Sequence, residues 1–147
     1  MRKRLIKQLD FKERQWLYSA VIRMIIADKS VAKEEVEELK ETLTLIAGKE
    51  LKGVKEIIGS PELMAPLRPL NNITFDSAFI MLTEVARVAA IDSKVVLEEE
   101  DLIKEIMSLL AFDESSVDKV LAWTKRLALV NKEEENLKES IRASYKQ

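Results

Sequence analysis

The chain is organised around a short stretch that occurs twice, Ala27-Asp28-Lys29-Ser30-Val31-Ala32-Lys33-Glu34-Glu35 and Ile91-Asp92-Ser93-Lys94-Val95-Val96-Leu97-Glu98-Glu99. Each copy has Asp, then Val three residues on, then a pair of Glu residues, and each joins two segments whose apolar residues recur at helical spacing. A repeated junction between amphipathic helices leaves few architectures open. No segment shows the alternation of a half-buried strand, so a sheet has no source in this chain. Two copies at so long a period are also too few for a solenoid, which needs about three or more units. The expected fold is all-α, a bundle of about six to eight helices with internal pseudo-symmetry.

The helical segments can be followed along the chain. Asp10-Phe11-Lys12-Glu13 fits a capping box, with a carboxylate at the N-cap and Glu three residues later. The segment it opens carries Trp16, Leu17, Ala20, Val21, Met24 and Ile25 as one buried stripe and should end near Ala27. A second helix is expected over about 32–47, with Val36, Leu39, Leu43 and Ile46 inward and Gly48 as its stop. Leu51, Val54, Ile57 and Ile58 suggest a short third helix closed by Gly59. Ser60-Pro61-Glu62 reads as another start, and Pro66, Pro69 and Asn71-Asn72 make 65–73 the clearest irregular stretch.

The second half repeats the plan. Thr74 caps a helix whose core face is read as Phe75, Phe79, Leu82, Ala86 and Ala89-Ala90. The next, near 97–111, turns Leu102, Ile103, Ile106, Met107 and Leu110 inward. The offset that carries Asp28 onto Asp92 also carries Leu39 onto Ile103, Leu43 onto Met107 and Ile46 onto Leu110. Asp113-Glu114-Ser115-Ser116 then opens a helix with Val117, Val120, Leu121, Trp123, Thr124 and Leu127, and a more polar final helix is expected from about Lys132. One domain over 1–147 follows, with pseudo-repeats at about 11–59 and 74–130 and a connector at about 60–73.

Composition matters chiefly for what it removes. There is no Cys and no His among the 147 residues. Thiolate and imidazole ligands, disulfides and the Ser-His and Cys-His nucleophilic devices are therefore excluded. Tyr18 and Ser19 have no base partner that would make either a nucleophile. A glycosidase-type carboxylate pair needs two carboxyls held about 5–10 Å apart across a cleft, and nothing in the pattern suggests one. No enzyme activity is expected. No apolar run reaches the ~20 residues of a membrane span, and the basic start lacks the apolar core of a secretory signal, so a cytoplasmic location is expected.

The repeated stretch supports two readings. In the structural one, Asp28 and Asp92 sit where a helix carboxyl end disfavours negative charge and fold back onto backbone N–H groups as Asx-turns. Val31 and Val95 fill the corner, and the Glu pairs lie in the next helix's first turn, where negative charge is favourable. In the other, Asp28, Glu35, Asp92 and Glu99 offer hard oxygen ligands to a divalent cation, Ca²⁺, Mg²⁺ or Mn²⁺, the one cofactor type these residues suit. The stretch is not an EF-hand, because the twelfth residue from each Asp is apolar, Leu39 and Ile103.

A helix ending in Ala-Asp, a short connector with Val three residues on, Glu-Glu, and a Leu-rich helix closed by Phe112-Asp113-Glu114 resembles the TerB-like family. The resemblance covers roughly residues 13–127. It implies a compact bundle of about seven helices in two related halves. It also implies divalent-metal ligation by the acidic positions that map onto Asp28, Glu35, Asp92 and Glu99. The function implied is that of a non-enzymatic module acting through protein partners in bacterial stress response of the tellurite-resistance type, with peripheral association to a membrane complex through a partner. Lys29 and Ser93 stand where the family usually has Gly, and Ala32 and Val96 replace its small polar cap. Lys29 opposes a cation electrostatically, so the corner of Asp92 is the better of the two sites.

Arg2, Lys3, Arg4, Lys7, Lys12 and Arg14 outnumber Asp10 and Glu13 at the amino end. Leu5, Ile6 and Leu9 among them point to a packed first turn rather than a free arm. Without interleaved aromatics to stack on bases, nucleic acid is not an expected partner. Trp16 and Trp123 lie on apolar stripes and are read as core. The sequence leaves the oligomeric state open.

Overall fold

In the computed structural model, residues 2–27, 40–46, 66–91 and 94–145 are described, and all statements below concern these. They are mostly helical, without any strand. The helices are α1 (Arg2–Lys7), α2 (Phe11–Ala27), α3 (Phe75–Ala89), α4 (Leu97–Leu109) and α5 (Val117–Ser144), with a 3₁₀ turn over Glu114–Ser116 and a helical segment at 40–46. The helix read at 51–58, its Gly59 stop and the Ser60-Pro61 start lie outside the described residues.

Local chemistry accounts for the helix ends. Asp10 and Glu13 form the reciprocal box: the Asp10 N–H donates to Glu13 Oε1 at 2.9 Å and the Glu13 N–H to Asp10 Oδ1 at 2.8 Å. Thr74 Oγ1 accepts the Ser77 N–H at 3.1 Å and opens α3. At the end of α4, the Phe112 N–H reaches Met107 O at 2.9 Å and the Ala111 N–H reaches Ser108 O at 3.0 Å. That pair of bonds is a Schellman stop, and it places Ala111 at φ 65°, a conformation glycine adopts without strain.

α3 is the central helix, packing against α2, α4 and α5. Its buried residues, among them Ala78, Met81, Leu82, Val85 and Ala89, run nearly all the way round, as a helix with neighbours on several sides requires. Phe75 and Phe79, expected on the core face, stay exposed at 68% and 49%. They stack on each other at 5.8 Å, and Phe112 meets Phe75 edge-on at 6.2 Å. The small alanines permit close helix approach, so they and the Met and Val residues take the core, and the two aromatics one turn apart are left outside it. The rest of the core follows the expected stripes: Leu17, Ala20, Val21 and Met24 of α2, Ile103, Ile106 and Met107 of α4, and Leu43 and Ile46 are buried. Ile6 of α1 and Leu9 just beyond it join them, so the amino end is held to the core there while Arg4, Leu5 and Lys7 face solvent.

The connector is tied on both sides. The Trp16 indole N–H donates to the Arg68 carbonyl at 2.8 Å, and the Leu70 N–H donates to the Leu109 carbonyl at 3.1 Å. Leu70 itself is buried. Trp16 therefore lies half-buried at the core edge with its polar atom used. Trp123 is half-buried too, with the Arg87 guanidinium 5.6 Å from its ring centroid.

The expected break before Lys132 does not exist. α5 is one helix of 28 residues, about 42 Å long at about 1.5 Å per residue. Val130-Asn131-Lys132 contains no Gly or Pro, and Asn131, the one capping type there, directs its side chain to the Ala90 carbonyl instead. What changes there is burial: Leu121, Thr124 and Ala128 are the buried residues, and every residue from 129 to 145 is exposed.

Candidate functional site

The second copy of the repeated stretch lies between α3 and α4. α3 closes with the Ala90 N–H on Ala86 O at 3.0 Å, and Val95 is half-buried in the connection. Val96 takes the N-cap position of α4 with extended backbone, but its side chain offers no acceptor. One arm of a capping box remains: the Val96 N–H donates to Glu99 Oε1 at 3.0 Å. Glu99 is wholly buried while doing so. Burial removes this carboxylate from water, and the favourable first-turn dipole together with the Val96 N–H offsets part of that cost.

The acidic run that follows does not form a cluster. Glu99 turns inward, whereas Glu100 reaches across to Lys125 of α5 at 3.0 Å. Glu98 and Asp101 face outward, because consecutive helical positions are about 100° apart. Among the described residues, no three acidic side chains converge. Of the four predicted ligands only Glu99 is described; Asp28, Glu35 and Asp92 lie outside the described residues.

A groove opens beside this corner. It is about 490 Å³ in volume and lies between the end of α2, the connector and α4. Its floor is apolar, from Ile26, Ala27, Pro66, Leu67 and Leu102. Its α4 edge carries Glu98, Asp101 and Glu105, all exposed, and Arg23 stands on the α2 side. Ile26 is 45% exposed there, at the last turn of α2. The sequence reading missed this groove. The available signal was the spacing of the three acids, i, i+3 and i+7, which aligns them along one helical face. Which helix they face depends on tertiary packing and has no local signature.

A smaller cavity, about 120 Å³, lies at the end of α3 between Thr42, Arg87, Ala90, Ile91, Leu127 and Asn131. Asn131 donates to the Ala90 carbonyl at 2.8 Å and so ties α5 to the end of α3. Arg87 Nε lies 3.8 Å from Glu84 Oε1 along α3. These contacts fasten the bundle.

Among the described residues, no helix is long and apolar enough to cross a membrane. No protein-family model, no curated protein and no solved structure matches the chain.

Proposed function

We propose that this chain is a non-enzymatic, TerB-like helical module that works by binding a protein partner in the groove beside its second corner. The carrying observation is the pairing of an apolar floor, Ile26, Leu67 and Leu102, with the acidic edge Glu98, Asp101 and Glu105. A groove of this kind suits an amphipathic segment, helical or extended, with apolar anchors and Lys or Arg along one side. Rim charges of one sign steer such a partner and fix its register, while the floor supplies the burial.

The assignment to the TerB-like family, with its two related halves, is supported by the repeated stretch and by matched burial. Leu43 and Met107 share one register position and Ile46 and Leu110 another, and all four are buried. By that assignment the module serves a bacterial stress response of the tellurite-resistance type, and reaches a membrane complex through its partner.

Affinity capture from bacterial lysate tests the groove. The wild-type chain should retain a partner whose binding weakens with salt. The triple variant Glu98→Lys, Asp101→Lys, Glu105→Lys, folded by circular dichroism, should lose it. Equal retention by both proteins would overturn the proposal.

A further inference from the structure

Past the Asn131 side chain's bond to the Ala90 carbonyl, α5 continues as a free helix over residues 132–144, about 20 Å at ~1.5 Å per residue. An isolated helix of this length is marginal in water, and its stability normally comes from packing an apolar face. This overhang has such a face. Leu137 and Ile141 continue a line begun at the bundle edge by Val130 and by Leu127, which is half-buried against the end of α3; with Glu134 and Ser144 the six positions fall at alternating steps of three and four. That is the seam of a two-helix coiled coil, with Leu127, Glu134 and Ile141 at a positions and Val130, Leu137 and Ser144 at d. Val130, Leu137 and Ile141 are 56%, 59% and 54% exposed.

The seam is not the overrun of the face that packs on the bundle. At about 100° per residue, Val130, Leu137 and Ile141 lie within about 20° of one line, while Leu121, Thr124 and Ala128 centre about 150° away. Along the bundle-facing line the overhang turns polar, at Glu135 and Arg142. The exposed stripe therefore has no partner within the described residues.

Charge placement selects the occupant and its direction. Two parallel copies would set Glu134 against Glu134 in the middle layer of the seam, a like-charge contact that the outer g–e pairs of Glu133 with Lys138 leave in place. Antiparallel copies with the two-fold axis between Glu134 and Leu137 avoid this. In that register Val130 meets Ile141, Leu127 meets Ser144, and Glu134 lies between Leu137 and Lys138 of the other copy. Lys138 occupies the e position, which borders a in an antiparallel pair, so each Glu134 gains a Lys138. The symmetry repeats every one of these contacts. We propose that the chain forms an antiparallel homodimer through residues 127–144 of α5. An overlap of this length buries on the order of 1,000 Å², the lower edge of specific interfaces, so the dimer is concentration-dependent.

Sedimentation and light scattering over a dilution series test the mass, and should show a reversible monomer–dimer equilibrium that Leu137→Lys abolishes. Leu137 lies outside the bundle core, so the variant's near-ultraviolet spectrum should stay native. Glu134→Lys should weaken the dimer at least tenfold, and adding Lys138→Glu should restore it. The chain has no cysteine, so direction can be read from engineered ones. Val130→Cys and Ile141→Cys should form a disulfide only when the two variants are mixed, because like residues sit about 16 Å apart in this register, beyond disulfide reach. Disulfides within either variant alone would indicate a parallel pair and overturn the proposal. A monomer at all concentrations would overturn it as well. So would a stripe protected only when a different protein is added.

Discussion

Glu99, fully buried, accepts the backbone N–H of Val96 at 3.0 Å, yet Val96 has no side-chain oxygen to return to α4. One half of a reciprocal cap is therefore present and the other missing. Val96→Ser or Val96→Thr should complete it and stabilise the protein by ~0.5–1 kcal/mol, read from the urea midpoint at unchanged slope. Val96 is only half-buried, so the lost apolar contact is small. In the other direction, Glu99→Ala should cost roughly 2–3 kcal/mol, since it leaves a cavity and an unpartnered N–H, whereas Glu99→Gln keeps the acceptor and should cost less. A Val96→Ser variant that is less stable than wild type would refute this account of the corner.

Ala111 ends α4 with φ at 65°. The two Schellman bonds from Ala111 and Phe112 require that geometry, and a Cβ makes it costly by about 1 kcal/mol. Ala111→Gly should raise stability by a few tenths to about 1 kcal/mol, the relief of strain being partly offset by the freer unfolded chain. Thermal unfolding followed by calorimetry reads this directly.

Trp16 holds the connector through the Arg68 carbonyl. Trp16→Phe removes that bond and part of the ring, and should cost about 1–2 kcal/mol. Hydrogen exchange should accelerate at the Leu70 amide, the connector's second tie, more than at core amides of α3. Uniform acceleration throughout the chain would show that the indole acts only through overall packing.

Cation titration separates the two uses of the repeated stretch. Glu99 gives one oxygen to the Val96 N–H in a fully buried setting, so it serves the cap. We expect Ca²⁺, Mg²⁺ and Mn²⁺ at millimolar levels to leave the melting temperature unchanged. A specific ion at about 100 times its Kd would add about 2.7 kcal/mol, an unmistakable rise. Such a rise, lost in Asp92→Asn, would establish a metal site at this corner.

Several features were legible in the sequence because their causes are local. The Asp10–Glu13 box and the Thr74 cap need only residues three apart, and both are present. Leu43, Ile46, Met107 and Leu110 were read as inward-facing from helical spacing, and all four are buried. Phe75 and Phe79 were misplaced because α3 is apolar on several faces, and periodicity cannot rank them once neighbours crowd from three sides. The continuity of α5 was missed because a fall in hydrophobicity at Asn131 resembles a boundary, although nothing there interrupts backbone bonding. The groove gathers residues from α2, the connector and α4, so only tertiary structure reveals it.

The ties on the connector bear on how the chain reaches its fold. Trp16 and Arg68 are 52 positions apart, so their bond rewards the chain only after a long loop has closed. Leu70 waits in turn for the end of α4. The earliest productive structure is therefore expected in the local α3–α4 hairpin, with the amino-terminal helices docking afterwards as the connector is drawn in. A nascent chain released before α4 would lack the Leu109 half of that latch, and the part of the α2 face that α4 covers would remain open to aggregation.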